Sequence, residues 1–238
     1  MNEGEYIMFN ALKKMNLPNK LTMLRIVLVP LFIILLSIPS SVYETTTTSM
    51  DMYGQTQTTT TVSIAKAIVG WIALAVFVIA SITDTLDGMI SRKNGIVTKF
   101  GKIMDPLADK LLVSAGFIML TGLGIVPAAI TAVIVFRDFF VTALRTFGAD
   151  NQKDVAAGLS GKIKTVFQML AIISGLIQYI IQPLDGMFAF ISGANGMFAF
   201  ELLVNVFMSL ALVGALVATI WSFIDYFIRF KDDIDVEH

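Results

Sequence analysis

Four aspartates, Asp84, Asp87, Asp105 and Asp109, lie in stretches otherwise apolar enough to sit in a membrane. Each aspartate at a bilayer centre costs about 2.5 to 3.5 kcal/mol on insertion scales, and less toward the interface, so four together require a compensating partner. Asp84 and Asp87 are three residues apart and Asp105 and Asp109 four apart, so on helices each pair shares one face. A short link, about residues 92–103, makes the two helices antiparallel neighbours and brings the carboxylates to similar depth. The expected partner is a cation. Oxygen donors without a nearby His or Cys favour a hard divalent ion, Mg²⁺ or Mn²⁺ before zinc or copper, and such ions complete their shells with phosphate oxygens of a substrate. Gly88 and Arg92 follow Asp84 at i+4 and i+8. Glycine lets a ligand approach the backbone, and arginine offers a fork that matches phosphate. Gly101, four residues before Asp105, repeats the first device on the facing helix. Simple pairing of the acids with Lys99, Lys102 and Lys110 at an interfacial helix end would account for one such aspartate, but not for four in register with Gly and Arg.

The elements that must hold these groups are membrane helices. Of 238 residues, 56% are hydrophobic and 15% charged, against about 45 to 50% and about 25% in a soluble domain. Hydropathy predicts an all-α, polytopic chain with six spanning segments at roughly 21–38, 64–91, 104–122, 127–147, 162–182 and 200–228. The whole chain, 1–238, reads as one membrane domain. It has a cytoplasmic N-terminal segment (1–20), a polar Thr-rich outer loop (39–63) and a cytoplasmic tail (229–238). Residues 5–15 alternate apolar and polar positions at helical spacing, which leaves an amphipathic interfacial helix or a frayed terminus. The outer loop, with four threonines at 45–48 and four at 58–61, carries too little apolar surface to fold by itself, and no chemistry is assigned to it.

Lys13, Lys14, Lys20, Arg25, Arg92, Lys93, Lys99, Lys102, Lys153, Lys162, Arg229 and Lys231 all fall on one side of these segments, and Lys66 is the lone exception. The positive-inside rule then places both termini, and the aspartates, at the cytoplasmic face of the cell membrane. The N-terminus lacks the apolar core and cleavage site of a secretory signal. A net charge of −1 with scattered basic residues excludes a nucleic-acid face. With no Cys there is no thiol nucleophile or disulfide framework, and the single His, His238, is a bystander. Arg137 lies inside an apolar helix, where an unpaired cation is costly, and so reads as functional. Asn19 and Thr22 can cap the first helix. Arg145, Lys162 and Lys164 admit a plain anchoring role by snorkelling.

Asp84-Thr-Leu-Asp87-Gly88-Met-Ile-Ser91-Arg92, eight further residues, then Gly101-Lys-Ile-Met-Asp105-Pro-Leu-Ala-Asp109 resembles the pattern D-x2-D-G-x2-A-R-x8-G-x3-D-x3-D of the CDP-alcohol phosphotransferase family. Ser91 in place of Ala is the single departure, and a small residue is kept. The resemblance implies a six-helix membrane enzyme, usually a homodimer, with two metal ions, Mg²⁺ or Mn²⁺, and a CDP-linked lipid donor, CDP-diacylglycerol. It implies that Asp84, Asp87 and Asp105 bind metal, and that Asp109 both contributes to the metal site and acts as catalytic base. It places Asn19, Thr22, Asp84, Gly88, Arg92 and Gly101 at the donor.

Further stretches, from Leu17 to Arg25, Asp105 to Lys110, Arg137-Asp138 and Gly161 to Thr165, are similar to the branch of that family whose acceptor is sn-glycerol 3-phosphate. For that dianion, Arg137, Arg145, Lys162 and Lys164 are the expected acceptor-binding residues. The alternatives are a sibling enzyme acting on phosphatidylglycerol (a cardiolipin synthase) or inositol phosphate, and an ion-coupled transporter. The transporter would need midplane carboxylates and inverted repeats.

Overall fold

The computed structural model describes residues 17–42, 44–50, 56–62, 64–94, 99–150, 159–182 and 194–234. Six α-helices lie among them: α1 Leu17–Leu36, α2 Ile64–Asn94, α3 Lys99–Gly122, α4 Ala128–Asp150, α5 Leu159–Ile181 and α6 Ala194–Ile234. Each expected segment coincides with one helix. Among the described residues, Ile64–Asp84 of α2, Gly161–Ile181 of α5 and Ala199–Ile228 of α6 are long and apolar enough to cross a membrane, and Lys110–Gly122 of α3 is a shorter apolar stretch. The chain is a helical membrane protein. Val27, Ile34, Trp71, Phe136, Leu210, Val217 and Ile228 are each more than half exposed, an apolar surface too extensive for water and suited to lipid. Residues 5–15, read as a possible interfacial helix, and the tail beyond Ile234 lie outside the described residues.

Two expectations are corrected. The Thr-rich loop contains a hairpin, β1 Glu44–Met50 paired antiparallel with β2 Thr56–Val62, with Thr45 to Thr48 opposite Thr61 to Thr58. Threonine is β-branched and favours extended backbone, so local propensity succeeds where apolar content is lacking. Thr22 is also not a cap, because it lies five residues inside α1 and its side chain is fully buried.

Between apolar helices in lipid there is no hydrophobic gain from association, so close packing and polar contacts must hold the bundle. Phe32 of α1 meets Phe77 of α2 with ring centroids 5.7 Å apart. Gly70 near the start of α2 faces Ile180 near the end of α5, and Ser81 donates to Met169 Sδ at 3.5 Å, so α2 and α5 run antiparallel. Gly116 faces Ile172, and Leu120 faces Gly175, so α3 runs parallel to α5. It follows that α2 and α3 are antiparallel, as their short link requires. After α3 the chain turns in a Schellman motif: Gly124 has φ +74°, its N–H bonds Thr121 O, and the Ile125 N–H bonds Leu120 O. The Thr121 and Thr131 hydroxyls then join α3 to α4 at 2.6 Å.

Lys66, the exception to the charge asymmetry, is buried on α2. Its ammonium donates to Gln182 at 3.4 Å and stands 4.9 Å from the Tyr179 ring centroid, which compensates the cation locally.

A side chain at Gly116 would bring a Cβ within 2.8 Å of Ile172, whereas Gly122 has nothing within 4 Å. Gly116→Leu should therefore lower the unfolding temperature in detergent by the equivalent of about 1 to 3 kcal/mol of overpacking. Gly122→Leu should change it far less, and equal losses would show that close α3–α5 approach is not limiting.

Candidate active site

Arg25, on the third turn of α1, has no exposed surface, and its guanidinium nitrogen lies 2.8 Å from Asp84 Oδ1. An arginine among apolar side chains needs a counter-charge, and the carboxylate near the end of α2 supplies it. Asp84 keeps a third of its side chain exposed, so the carboxylate that answers Arg25 is only partly enclosed. Thr22 lies one turn before Arg25 and is fully buried beside it on the same helix face.

Asp87, Gly88 and Arg92 lie on α2, and Gly101, Asp105 and Asp109 on α3, as the spacing requires. Their side chains, like those of Asn19 and Arg145, lie outside the described residues. Among the described residues no three metal-ligating side chains come together. The fit of a hard divalent cation rests on two features: an all-oxygen donor set carried by two adjacent antiparallel helices, and the partial exposure of Asp84. The donor set fits such an ion.

A second charged cluster lies among the described residues and was only half legible in the sequence. Asp138 on α4 is 2% exposed. Its Oδ1 accepts from Lys164 Nζ on α5 and from Arg137 at 3.3 Å, while Oδ2 accepts from Gln168 Nε2 at 3.3 Å. The other terminal nitrogen of Arg137 donates to Ser222 on α6. Arg137 is therefore paired, contrary to the premise on which the sequence singled it out. Lys164 and Gln168 sit one turn apart on one face of α5, whereas Lys162 is exposed, about 200° around the helix from Lys164 at ~100° per residue. Of the expected acceptor residues, the structure brings Arg137 and Lys164 together and leaves Lys162 apart.

Asp138, Gln168 and Ser222 had not been singled out. An acid directly after Arg137 in an apolar helix, and an amide four residues after Lys164, were the available signals, and Ser222 offered none.

Both clusters lie toward the same end of the bundle. The Ser81–Met169 contact sets the α2–α5 register within one turn of Asp84 and about one and a half turns of Lys164, on the same side. Beside the first cluster, Val78, Ser81, Ile82 and Leu86 of α2, with Met169 and Ile173 of α5, line an open apolar groove of about 330 Å³.

Residues 15–221 match the CDP-alcohol phosphatidyltransferase family. A Bacillus subtilis (strain 168) protein named CDP-diacylglycerol--glycerol-3-phosphate 3-phosphatidyltransferase is 42% identical over 158 residues, 66% of this chain and 74% of that protein. A probable phosphatidylglycerophosphate synthase of Mycobacterium tuberculosis (strain CDC 1551 / Oshkosh) is 36% identical over 171 residues, 72% of this chain and 68% of its own length. A Rickettsia typhi (strain ATCC VR-144 / Wilmington) protein with the same name as the Bacillus one is 36% identical over 157 residues, 66% of this chain and 74% of that protein. With the aspartate spacing carried on two adjacent antiparallel helices and a family match across most of its length, the chain belongs to the CDP-alcohol phosphatidyltransferase family.

Proposed function

We propose that this membrane enzyme transfers the phosphatidyl group of CDP-diacylglycerol to sn-glycerol 3-phosphate, giving phosphatidylglycerol phosphate and CMP. The observation that carries the reading is the coexistence, at one end of the bundle, of the aspartate helices with a buried cation cluster suited to a phosphorylated acceptor. In the reaction the acceptor hydroxyl attacks the β-phosphorus of the donor, the bond from that phosphorus to the bridging oxygen breaks, and CMP departs with the bridging oxygen. Asp109 takes the hydroxyl proton. Asp84, Asp87, Asp105 and Asp109 would hold Mg²⁺ or Mn²⁺, two ions per site, which when bound neutralise the charge on the pyrophosphate. Arg25 fixes Asp84, Arg92 is assigned to the donor phosphates, and Gly88 and Gly101 to the nucleotide. Asn19 and Thr22 complete the donor side from α1.

The apolar groove between α2 and α5 opens beside Asp84 and has the character needed for a donor acyl chain. Arg137, supported by Lys164, attracts the acceptor phosphate, and Arg145 and Lys162 are the further basic residues assigned to the acceptor. Positioning and charge stabilisation of this kind supply most of the barrier reduction in phosphoryl transfer.

The same reading includes six spans, a homodimer, and both termini and the site on the cytoplasmic side. The lysine and arginine asymmetry supports the orientation, and the family resemblance supports the dimer.

Purified protein with CDP-diacylglycerol and Mn²⁺ or Mg²⁺ should release CMP when given glycerol 3-phosphate, and not with phosphatidylglycerol, inositol phosphate or serine. Release with another member of that panel alone would reassign the acceptor. Asp109→Asn should abolish turnover while metal affinity is largely kept, whereas Asp84→Asn should weaken metal binding as well. Equal affinity losses in a titration of both would contradict separate roles. Arg137→Gln should lower kcat/KM for glycerol 3-phosphate by about 10- to 150-fold, the equivalent of one charged hydrogen bond, with CDP-diacylglycerol binding little changed.

A further inference from the structure

We infer that Asp138 is a positioning residue of the acceptor pocket, an anionic clasp that holds Arg137 and Lys164 in one geometry without itself touching the acceptor. The inference deepens the proposed reaction and rests on it. Asp138 is buried, and both of its oxygens are engaged by protein donors from two helices: Arg137 on its own helix, and Lys164 and Gln168 on α5. A buried carboxylate with its oxygens so occupied, facing cations that a phosphate would otherwise recruit, repels a phosphorylated ligand and does not bind it. Its effect is to set where the cations stand.

Lys164 is 2% exposed, so its ammonium is committed to Asp138 and reaches the acceptor through its effect on Arg137. The guanidinium is held at two points, by Asp138 and by Ser222, so its plane is fixed between α4 and α6. A planar, pre-oriented guanidinium loses little further freedom when it binds a phosphate. Without Asp138, two neighbouring buried cations would repel each other with the compensating carboxylate gone, and one must turn away. Gln168 adds a neutral donor to Oδ2, and with it the carboxylate is held by side chains on both sides.

The test uses the full-length enzyme in detergent, with CMP release followed while each substrate is varied in turn. Asp138→Asn keeps the shape and removes the charge. It should raise KM for glycerol 3-phosphate by about 10-fold or more, the order expected from losing one charge-assisted contact, while KM for CDP-diacylglycerol stays within about 2-fold. Asp138→Glu restores the charge and should bring the glycerol 3-phosphate KM back to within about 3-fold of the wild type. A purely structural role would lower the unfolding temperature and the fraction of active enzyme with both KM values unchanged, and that result overturns the inference, as does failure of glutamate to rescue. If the wild type itself releases no CMP with glycerol 3-phosphate, the proposed reaction fails instead, and the two failures are told apart by that control.

Discussion

Charge can enter an apolar bundle only if something nearby answers it, and the site is organised by that constraint. Arg25 is buried without exposed surface because Asp84 stands 2.8 Å away, and Asp84 is tolerated near the end of a long apolar helix in part because of Arg25. On the other side of the site, Arg137, Lys164 and Asp138 answer one another within hydrogen-bonding distance. Breaking a buried pair by removing one partner is far costlier than never having built it, so each pair locks the helices that carry it: α1 to α2 in the first case, and α4 to α5 in the second. Arg137 then extends the second lock to α6 through Ser222.

In the proposed reaction the two locks also have different tasks. A carboxylate that pairs with an arginine and keeps part of its surface exposed is suited to a further cationic partner, which is the condition a metal ligand needs. A carboxylate surrounded by donors is suited to orienting them. Asp84 and Asp138 carry the same functional group, and their surroundings give them these different capacities: Asp84 is one-third exposed, whereas Asp138 is enclosed. The small residues at Gly116 and Gly175 let α3 and α5 approach closely, which keeps the aspartate helix beside the cation helix. Membership of the phosphatidyltransferase family leaves the ion-coupled transporter, considered on the buried acids alone, without support.

Much of this was legible in the chain. The six helices could be read because apolar length is a one-dimensional property, and each helix coincides with its expected segment to within six residues at either end. The aspartate spacing could be read because a three- or four-residue offset has a fixed meaning on a helix. What could not be read depends on packing between elements. Arg25 and Asp84 are 59 positions apart, and Lys164 meets Asp138 across 26; both partnerships follow from helix register, which hydropathy does not encode. Arg137 was singled out for the cost of an unpaired cation when its neighbour in the chain already answered it. The hairpin at Glu44–Met50 and Thr56–Val62 was missed for another reason: the loop was judged by its lack of apolar surface, and the extended preference of a threonine run was not weighed.

Mutual compensation between Arg25 and Asp84 is tested most directly by a double-mutant cycle on unfolding temperature in metal-free detergent solution. Arg25→Gln and Asp84→Asn should each destabilise the protein by stranding the other partner's charge. The double variant, which strands neither, should unfold no lower than the weaker single variant, a coupling within the range of about 0.5 to 3 kcal/mol seen for contacting residues. Strictly additive losses would contradict the pairing and with it the electrostatic basis of the site.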